Sequence, residues 1–566
     1  MKILHNHLGY RAAASSKRVL LQASSAPPGD RFIVYEADER RIVLEGRWEP
    51  LGPVQRWRDW QYWAAEFGAL QTPGRYIVAV PGANPPLQSQ PFAISERLYD
   101  GQHVSDLLHY IKSQRCGGVF DAADRECPVH LEEGGPAERM DVHGGWYDAS
   151  GDASKYLTHL SYANFLNPQQ TPQVVWNLIE TRARLAEPGI WMDDRLVDEA
   201  LHGADFLHRM LHADGYFCQT VFDRWSKHVD QRKLCAYETQ KGHLLTTRQA
   251  GLRQGAGSAI AALARASTLP RDGAFTRASH LAAAERAFAH LAEHNTRYLP
   301  DGRENIIDDY CALLAATELC AATDGQAAYA GAVQHRAERL LSRQHADGWF
   351  WADDAKTRSY THAAEAGLPY VALLRTLEAC AGVVDADGVR AALRRGLQWE
   401  LHITTSGGES NPFHLPRQYV KTPAQPGRAQ FFMPHTNDSG YWWQGENARL
   451  ASLAAAVLWA RPHLGAGGED PLQAYADATL DWIFGRNPFD TCMVQGAGHG
   501  PAPRYEPKYW NAPGGVCNGI TAGLDDEDDI DFRLPAQTDP MHSWRWSEQW
   551  LPHGAWLMLA LAFAQS

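Results

Sequence analysis

Two carboxylates, Asp148 and Asp152, lie four residues apart in a segment rich in glycine and other small residues, directly after Trp146 and Tyr147. Small residues let a substrate or a water molecule approach the backbone closely. Aromatic rings beside carboxylates suit a sugar, because its apolar faces stack while its hydroxyls form hydrogen bonds. The other interpretation is a pair of helix-capping aspartates. The flanking aromatic residues favour a sugar site.

A third carboxylate, Glu548, lies among Trp544, Trp546 and Trp550, just before the last apolar stretch of the chain. Apolar surroundings raise the pKa of a carboxyl group, as a general acid requires. A glutamate that only stabilises a helix start is the alternative. One carboxylate in a polar segment and one in an apolar segment are the groups that glycoside hydrolysis needs.

The sequence that must position these groups divides into two parts with different residue patterns. Residues 1–97 contain short β-branched and aromatic runs separated by Pro and Gly, which predicts a β-sandwich of immunoglobulin size. Residues 98–566 are rich in Ala and Leu with helical periodicity, which predicts an all-α domain of antiparallel helix pairs in a ring. The predicted helices cover 103–115, 173–186, 195–211, 249–267, 278–294, 309–322, 327–344, 363–381, 388–401, 446–460, 472–485 and 549–565.

Composition excludes several classes of protein. The 566 residues contain 53 Lys and Arg against 66 Asp and Glu, a net charge of −13, with no long basic run; a nucleic-acid partner is therefore not expected. No apolar stretch of about 18 residues occurs, so we expect no membrane span. The nine scattered cysteines indicate reduced thiols. If Met1 is the native start, the chain has no secretion signal and we expect a cytoplasmic protein. The oligomeric state cannot be predicted from these features.

The loop that includes residues 435–447 is dense in groups that bind sugars. Its candidate substrate contacts, in addition to Trp146 and Tyr147, are His435, Asp438, Trp442, Trp443 and Glu446. The two acidic members could pair with a substrate amine. In the alternative interpretation, the tryptophans belong to the core and Glu446 stabilises a helix start.

Two sets of residues could hold a structural metal. Cys116, Cys127, His130 and His143 would satisfy a tetrahedral zinc site on the loop that leads to Asp148; cysteines without metal are the alternative. The acidic run 525–531 could bind calcium through oxygen ligands. It lacks the spacing of a known calcium loop, so solvated charges or a lid that attracts a cationic sugar are the other interpretations.

Several motifs resemble those of glycoside hydrolase family 9. Residues 144–156, Gly-Gly-Trp-Tyr-Asp-Ala-Ser-Gly-Asp-Ala-Ser-Lys-Tyr, are similar to the family signature, and Gly485-Arg486-Asn487-Pro488 matches its Gly-Arg-Asn-Pro box. Asn6-His7-Leu8-Gly9-Tyr10 resembles the opening of the immunoglobulin-like domain that many members carry. The resemblance implies an (α/α)6 barrel behind a β-sandwich and an inverting mechanism that requires no cofactor.

The resemblance also implies a role for each carboxylate. Asp152 matches the base that activates water, Asp148 the aspartate that helps to hold that water, and Glu548 the general acid. An inverting enzyme leaves room for the water, so we expect the base and acid carboxyl groups to be roughly 6.5–9.5 Å apart.

Two departures from the family pattern bear on the substrate. Ser150 is inserted between the aspartates, and the His-His-Arg motif that endo-cellulases use is missing. The chain is therefore closer to the exo-acting branch. We expect it to release monosaccharide from short β-1,4-linked oligosaccharides, with glucosamine favoured over glucose, and we expect the 116–140 loop and the sandwich to close one end of the cleft.

The alternatives are a β-glucosidase or endoglucanase acting on cello-oligosaccharides, and a non-catalytic carbohydrate-binding protein on the same fold. A lyase or cyclase on a similar helical ring is a further alternative.

Overall fold

The computed structural model describes residues 1–565, except for 133, 160–165, 186–187, 239–240, 408–409, 438, 442–444, 468–469, 503, 505–510, 525–527, 534–536, 538 and 540–541. Within this described part, no helix is both long enough and apolar enough to cross a membrane.

The N-terminal residues form a β-sandwich, as predicted. One sheet has the strand order β1-β3-β7-β6, and the other has the order β2-β10-β8-β4-β5, with β9 paired to β8. Alternate residues such as Val19, Leu21, Val78 and Val80 face inward and are buried between the sheets. The strands are β1 (Lys2–Leu4), β2 (Gly9–Arg11), β3 (Arg18–Ala23), β4 (Arg31–Glu36), β5 (Ile42–Arg47), β6 (Glu49–Pro53), β7 (Gln61–Glu66), β8 (Gly74–Val80), β9 (Leu87–Gln88) and β10 (Phe92–Ser95).

The rest of the chain is mainly helical. All twelve predicted helices are present, and two short ones, α2 and α13, lie inside predicted loops. The helices are α1 (Gly101–Ser113), α2 (Gly118–Asp124), α3 (Thr171–Arg184), α4 (Gly189–Met210), α5 (Ala256–Ala266), α6 (Arg277–Tyr298), α7 (Ile306–Ala322), α8 (Ala327–Ser342), α9 (Leu368–Ala379), α10 (Ala386–Thr405), α11 (Asn447–His463), α12 (Pro471–Ile483), α13 (Trp544–Ser547) and α14 (Leu551–Gln565).

Six of these helices form a closed inner ring in the order α3, α5, α7, α9, α11 and α14, with α14 returning to α3. Every residue of α5 is buried, as expected for a helix surrounded by others. The outer helices α1, α4, α6, α8, α10 and α12 alternate with the inner ones along the chain. This is the expected (α/α)6 barrel. Since each long loop runs from an outer helix to the start of an inner one, these loops gather at one end of the barrel.

Short strands brace those loops. They are β11 (Cys127–Pro128), β12 (Arg139–Met140), β13 (Lys155–Tyr156), β14 (Phe217–Cys218), β15 (Thr220–Phe222), β16 (Lys233–Glu238), β17 (His243–Leu245), β18 (Gln249–Ala250), β19 (Gln418–Val420) and β20 (Arg428–Gln430). The predicted start of the helix at 249 is wrong. Gln249 and Ala250 pair with β14 instead, and Gly255, at a φ of 98°, turns the chain into α5.

The sandwich packs directly on the barrel. Trp57 is fully buried and its ring lies 4.8 Å from that of Phe431 and 6.2 Å from that of Trp482, measured between centroids. Leu4 and Tyr62 of the sandwich belong to the same hydrophobic cluster as the inner helices. These sandwich residues therefore belong to the core of the barrel, whereas the side chains between the two sheets form a separate cluster.

All nine cysteines are buried and none forms a disulfide, which confirms the predicted thiols.

Candidate active site

Backbone pairing joins the two segments that carry the three predicted catalytic carboxylates. Ala149 and Trp550 form an antiparallel bridge, and Leu551 N donates to Asp148 O at 3.2 Å. Ser150 N donates to Gln549 O at 2.8 Å, and Ser150 Oγ donates to Gln549 Oε1 at 2.9 Å. The inserted serine thus binds the residue that follows Glu548. Residues 400 positions apart in sequence are held side by side.

Asp148 lies at the centre of this group. It is 5% exposed, and its Oδ1 accepts a hydrogen bond of 3.0 Å from Trp550 Nε1. Burial raises the pKa of Asp148 well above its usual range, and the negative charges of Asp152 and Glu548 raise it further. The structure therefore brings the three carboxylates within electrostatic reach of one another.

Asp152 is partly exposed and follows a tight turn. The turn closes with a hydrogen bond from Asp152 N to Ala149 O, with Gly151 at a φ of 88°. Asp152 Oδ1 accepts hydrogen bonds from the backbone N–H groups of Ala153 and Ser154, which leaves Oδ2 beside the Tyr156 hydroxyl at 3.4 Å. A carboxylate held in this way and open to water can act as a base.

A fourth carboxylate, Asp223, was missed by the sequence analysis. It is fully buried and accepts a hydrogen bond of 2.7 Å from Ser154 Oγ, while Ser154 N binds Asp152. Burial first, and then the charge of Asp223, raise the pKa of Asp152 to about 6. Asp223 therefore raises the pKa of Asp152, and Asp152 remains the predicted base.

Glu548 ends the short helix α13 and is partly exposed. Its backbone is bound on both sides, because Asn518 N donates to Glu548 O at 2.8 Å and Glu548 N donates to Trp544 O at 3.3 Å. Asn518 Nδ2 lies 3.5 Å from Glu548 Oε2. These contacts hold Glu548 in place, and its charge is close enough to contribute to the raised pKa of Asp148.

Aromatic rings form one wall beside the aspartates. The rings of Tyr156, His159 and Tyr237 lie 5.0–5.5 Å apart, between centroids. Asp148 and Asp152 add to the effect of burial in raising the pKa of Tyr237, which places its hydroxyl near both carboxylates. Trp225, 40% exposed, has its ring edge on to that of Tyr237 at 6.2 Å. The wall therefore ends in an exposed indole at the rim.

A buried ion cluster supports the Asp152 turn from below. Asp124 accepts hydrogen bonds of 2.8 and 2.7 Å from Arg232, whose guanidinium also donates to Ala153 O. Lys155 Nζ lies 2.7 Å from Asp124 Oδ2 and donates to two carbonyls of the signature loop. Buried charges of this kind are paired, because an unpaired one is costly.

Trp146 does not line the site, and the substrate contact predicted for the half-buried Tyr147 stays a prediction. Trp146 is fully buried, and its Nε1 donates to Glu199 Oε1 at 2.6 Å, so the prediction that it contacts substrate is wrong. The Tyr147 hydroxyl lies at the backbone of Gly117, at 3.2 Å from the amide nitrogen. Both side chains bind residues outside the segment 144–156 and so help to hold its start in place.

The other predicted substrate contacts divide into three groups. The ring of His435 packs against that of Trp544, with 5.5 Å between the centroids. Since Trp544 lies one helical turn before Glu548, His435 can form part of the cleft. Glu446 is 2% exposed and accepts a hydrogen bond of 2.7 Å from Arg449 Nε at the start of α11, so it is structural and the substrate prediction for it is wrong. Asp438, Trp442 and Trp443 lie outside the described residues.

The predicted zinc ligands are not gathered into a site. Among described residues, the one group of three or more potential ligands with atoms within 4.8 Å of one another contains none of Cys116, Cys127, His130 and His143. The His143 ring instead contacts Asp141, with 2.6 Å between Nδ1 and Oδ1. This zinc prediction is therefore wrong.

In the acidic run, two of the described members are paired with arginines. Asp528 contacts Arg56 of the sandwich at 3.1 Å and Asp531 contacts Arg533 at 2.9 Å. Residues 525–527 lie outside the description, so the calcium prediction stays a prediction.

The sequence and the fold are similar to those of known proteins. A family model for glycosyl hydrolase family 9 matches residues 101–514, and one for the cellulase N-terminal ig-like domain matches residues 1–85. A metagenome-derived glycoside hydrolase family 9 endoglucanase is 20% identical with a TM-score of 0.69, over 100% of this chain and 99% of that chain.

Two further solved structures share the fold. AaCel9A in complex with cellobiose-like isofagomine is 20% identical with a TM-score of 0.64, over 100% of both chains. A Bacteroides ovatus GH9 protein is 18% identical with a TM-score of 0.68, over 100% of this chain and 98% of that chain. No curated protein matches the sequence.

Proposed function

Because the chain belongs to glycosyl hydrolase family 9, and is therefore a glycoside hydrolase, we propose that it is an inverting, exo-acting enzyme that releases monosaccharide from short β-1,4-linked oligosaccharides. Glucosamine is the favoured sugar. The observation that carries the proposal is the pairing of Ala149 with Trp550, which sets Asp148, Asp152 and Glu548 around one space.

The division of labour follows from the environment of each carboxylate. In this proposal, Asp152 removes a proton from water, and that water attacks the anomeric carbon on the face opposite the leaving sugar. Asp148, held by Trp550 Nε1, positions the water. Glu548 gives its proton to the leaving oxygen.

The charge of the site supports a cationic sugar. Beyond the effect of burial, Asp152 and Glu548 raise the pKa of Asp148 when they are ionised, and Asp223 raises the pKa of Asp152. A glucosamine ammonium group would relieve that repulsion, because an opposite charge within about 4–6 Å favours ionised carboxylates. Glucose has no charge with which to do so.

The missing His-His-Arg motif supports exo action, and so does the position of the sandwich. Arg56 contacts Asp528 on the loop that leads to Glu548. The hairpin of β11 and β12 pairs through Val129 with Leu234 of β16, whose neighbouring strand β15 leads into Asp223. In this proposal, both features help to close one end of the cleft.

The test is hydrolysis of glucosamine dimers and trimers beside cellobiose and cellotriose, with the first product anomer followed by NMR. We expect glucosamine monomer, formed first as the α-anomer, and a loss of about 10²–10⁴-fold in kcat for Glu548→Gln. Glu126→Gln, at an exposed position before β11, is the matched control and should retain full activity.

Three results would overturn parts of the proposal. Internal cleavage of longer cello-oligosaccharides would make the protein an endoglucanase, like the relatives with that name. Initial release of the β-anomer would rule out inversion. Full activity of Glu548→Gln would remove Glu548 from the chemistry.

A further inference from the structure

Three side chains meet where the sandwich joins the barrel. His7 precedes β2 of the sandwich, whereas Asp490 and His499 lie on the loop after α12. His7 Nε2 is 3.0 Å from Asp490 Oδ1, and His499 Nε2 is 3.5 Å from the same oxygen. One atom of each residue lies within 4.8 Å of the others. The proposed hydrolysis uses none of these groups.

We propose that His7, Asp490 and His499 form a binding site for a divalent transition metal of the zinc class, which ties the sandwich to the barrel. Two imidazoles and a carboxylate are ligands that zinc prefers in proteins. Zinc–ligand bonds of about 2.0–2.1 Å in a tetrahedron place ligand atoms about 3.3 Å apart. The separations of 3.0 and 3.5 Å lie on either side of that value.

The backbone around the site is shaped to admit these rings. A Cβ atom on Gly485 would lie 2.3 Å from the His7 ring, and one on Gly498 would lie 2.6 Å from His7 Cβ, so both positions require glycine. Asp490 has a φ of 54°, in the left-handed region that few residues adopt. Such strained positions cluster at functional sites.

The pocket contains a further nitrogen donor beside the two proposed histidine ligands. A third ring, His5, lies 5.4 Å from His7 and 5.3 Å from His499, between centroids. Its Nε2 is buried and makes no hydrogen bond within the described chain. The pocket therefore brings three imidazole rings together.

Metal binding requires one adjustment. The His7 and His499 rings are stacked at 3.5 Å with 18° between their planes, so they must fan apart to direct both Nε2 lone pairs at one ion. The hydrogen bond from His499 N to His7 Nδ1, 3.3 Å long, is given up in that movement. His499 lies between Gly498 and Gly500 and its side chain is 34% exposed, which allows it to move. Asp490, 27% exposed, leaves the fourth position open to water.

The test uses the full chain, stripped with chelator and titrated with Zn²⁺ by calorimetry, with bound metal counted by mass spectrometry. We expect one zinc per chain, and an affinity at least 100-fold lower in His499→Gln. His345→Gln is the matched control, because His345 is also about one third exposed, stacks on an aromatic ring and contacts an aspartate, Asp347, at 3.2 Å. It should bind zinc as the wild type does.

A second measurement separates metal binding from folding. Zinc should raise the thermal midpoint of the wild type by several degrees and leave that of His499→Gln unchanged, since only the native site binds. If His499→Gln does not fold, Asp490→Asn replaces it, with a weaker oxygen ligand of the same shape. Equal zinc affinity in wild type and variant, or no binding to wild type at 100 times the protein concentration, would overturn the proposal. Neither readout depends on hydrolysis.

Discussion

Trp550 Nε1 donates a 3.0 Å hydrogen bond to Asp148 Oδ1, and the two residues belong to neighbouring segments of one antiparallel bridge. The bond links the apolar segment that carries Glu548 to the loop that carries Asp152. It also opposes the burial and the neighbouring charges that raise the pKa of Asp148. A single indole therefore serves both the geometry and the ionisation of the site.

Replacing Trp550 with Phe should reduce kcat/KM by about 10- to 100-fold, because a hydrogen bond to a charged group contributes ~1.5–3 kcal/mol. Steady-state kinetics on the preferred oligosaccharide measures the loss. Trp546→Phe is the control, since Trp546 is equally buried and its Nε1 has no hydrogen-bond partner in the described chain. Equal losses in the two variants would show that packing alone matters.

Asp223→Asn should move the acidic limb of the kcat/KM profile to lower pH by about one unit. Asp152 acts as a base only when ionised, so activity rises as pH rises through its pKa of about 6. Removing the charge of Asp223 lowers that pKa. A pH profile from 4 to 8 measures the shift.

The control for this experiment is Ser154→Ala, which breaks the bond to Asp223 Oδ1 but keeps the charge. Its acidic limb should not move to lower pH. If the Asp223→Asn profile keeps the wild-type limb, Asp223 does not tune the base.

Glu318→Gln should lower the free energy of unfolding by ~3–5 kcal/mol at pH 7, because it unpairs buried arginines. Burial alone would raise the pKa of Glu318, but Arg265 and Arg375 outweigh it and hold the pKa at about 2. The folded pKa lies below the unfolded one, so this stabilisation is present above about pH 4.5 and is lost as pH falls toward 2. Urea unfolding at several pH values should show that the free energy of unfolding depends less on pH in the variant than in the wild type.

The pKa of Glu365 is raised, whereas that of Glu318 is lowered, so its effect on stability has the opposite pH dependence. Glu365→Gln therefore serves as the control. Burial raises its pKa to about 8, above the unfolded value, so its contribution declines as pH rises from about 4.5 to 8. Glu365→Gln should therefore remove the decline in the free energy of unfolding between about pH 4.5 and 8. If Glu365→Gln instead changed the free energy of unfolding below about pH 4.5, the assigned pKa shifts of both Glu318 and Glu365 would be contradicted.

Trp225→Ala should raise KM for oligosaccharides about 5- to 30-fold with little change in kcat, because an exposed indole stacked on a sugar contributes ~1–2 kcal/mol. Trp191→Ala is the control: Trp191 is 65% exposed at the start of outer helix α4, which lies at the opposite end of the barrel from the long loops. A similar effect in both variants would place substrate contacts elsewhere.

Much of the fold could be predicted because it depends on local patterns. The Ala- and Leu-rich periodicity of α5 or α14 marks a helix wherever it packs. The start of α5 was predicted too early because Gln249 and Ala250 pair with β14, a contact that helical periodicity does not reveal. Short helices such as α13 carry too few residues for a periodic signal.

The site was predictable in its chemistry and less so in its surroundings. Asp148, Asp152 and Glu548 stand out by residue type and by motif. Asp223 does not, since it reaches Asp152 only through the pairing of β13 with β15, which joins Lys155 to Val221. Trp146 and Trp225 show why a tryptophan is ambiguous: one is wholly buried and the other is exposed, although both adjoin an aspartate-bearing segment.

Trp57 leads to a conclusion about how the chain holds together as a whole. Since this sandwich indole is buried among Phe431, Phe432 and Trp482 of the helical part, unfolding either part would expose aromatic side chains of the other. We therefore expect one cooperative melting transition, and a barrel expressed without its sandwich to aggregate through the vacated aromatic surface. We therefore expect the β-sandwich and the helical barrel to fold and unfold as one unit.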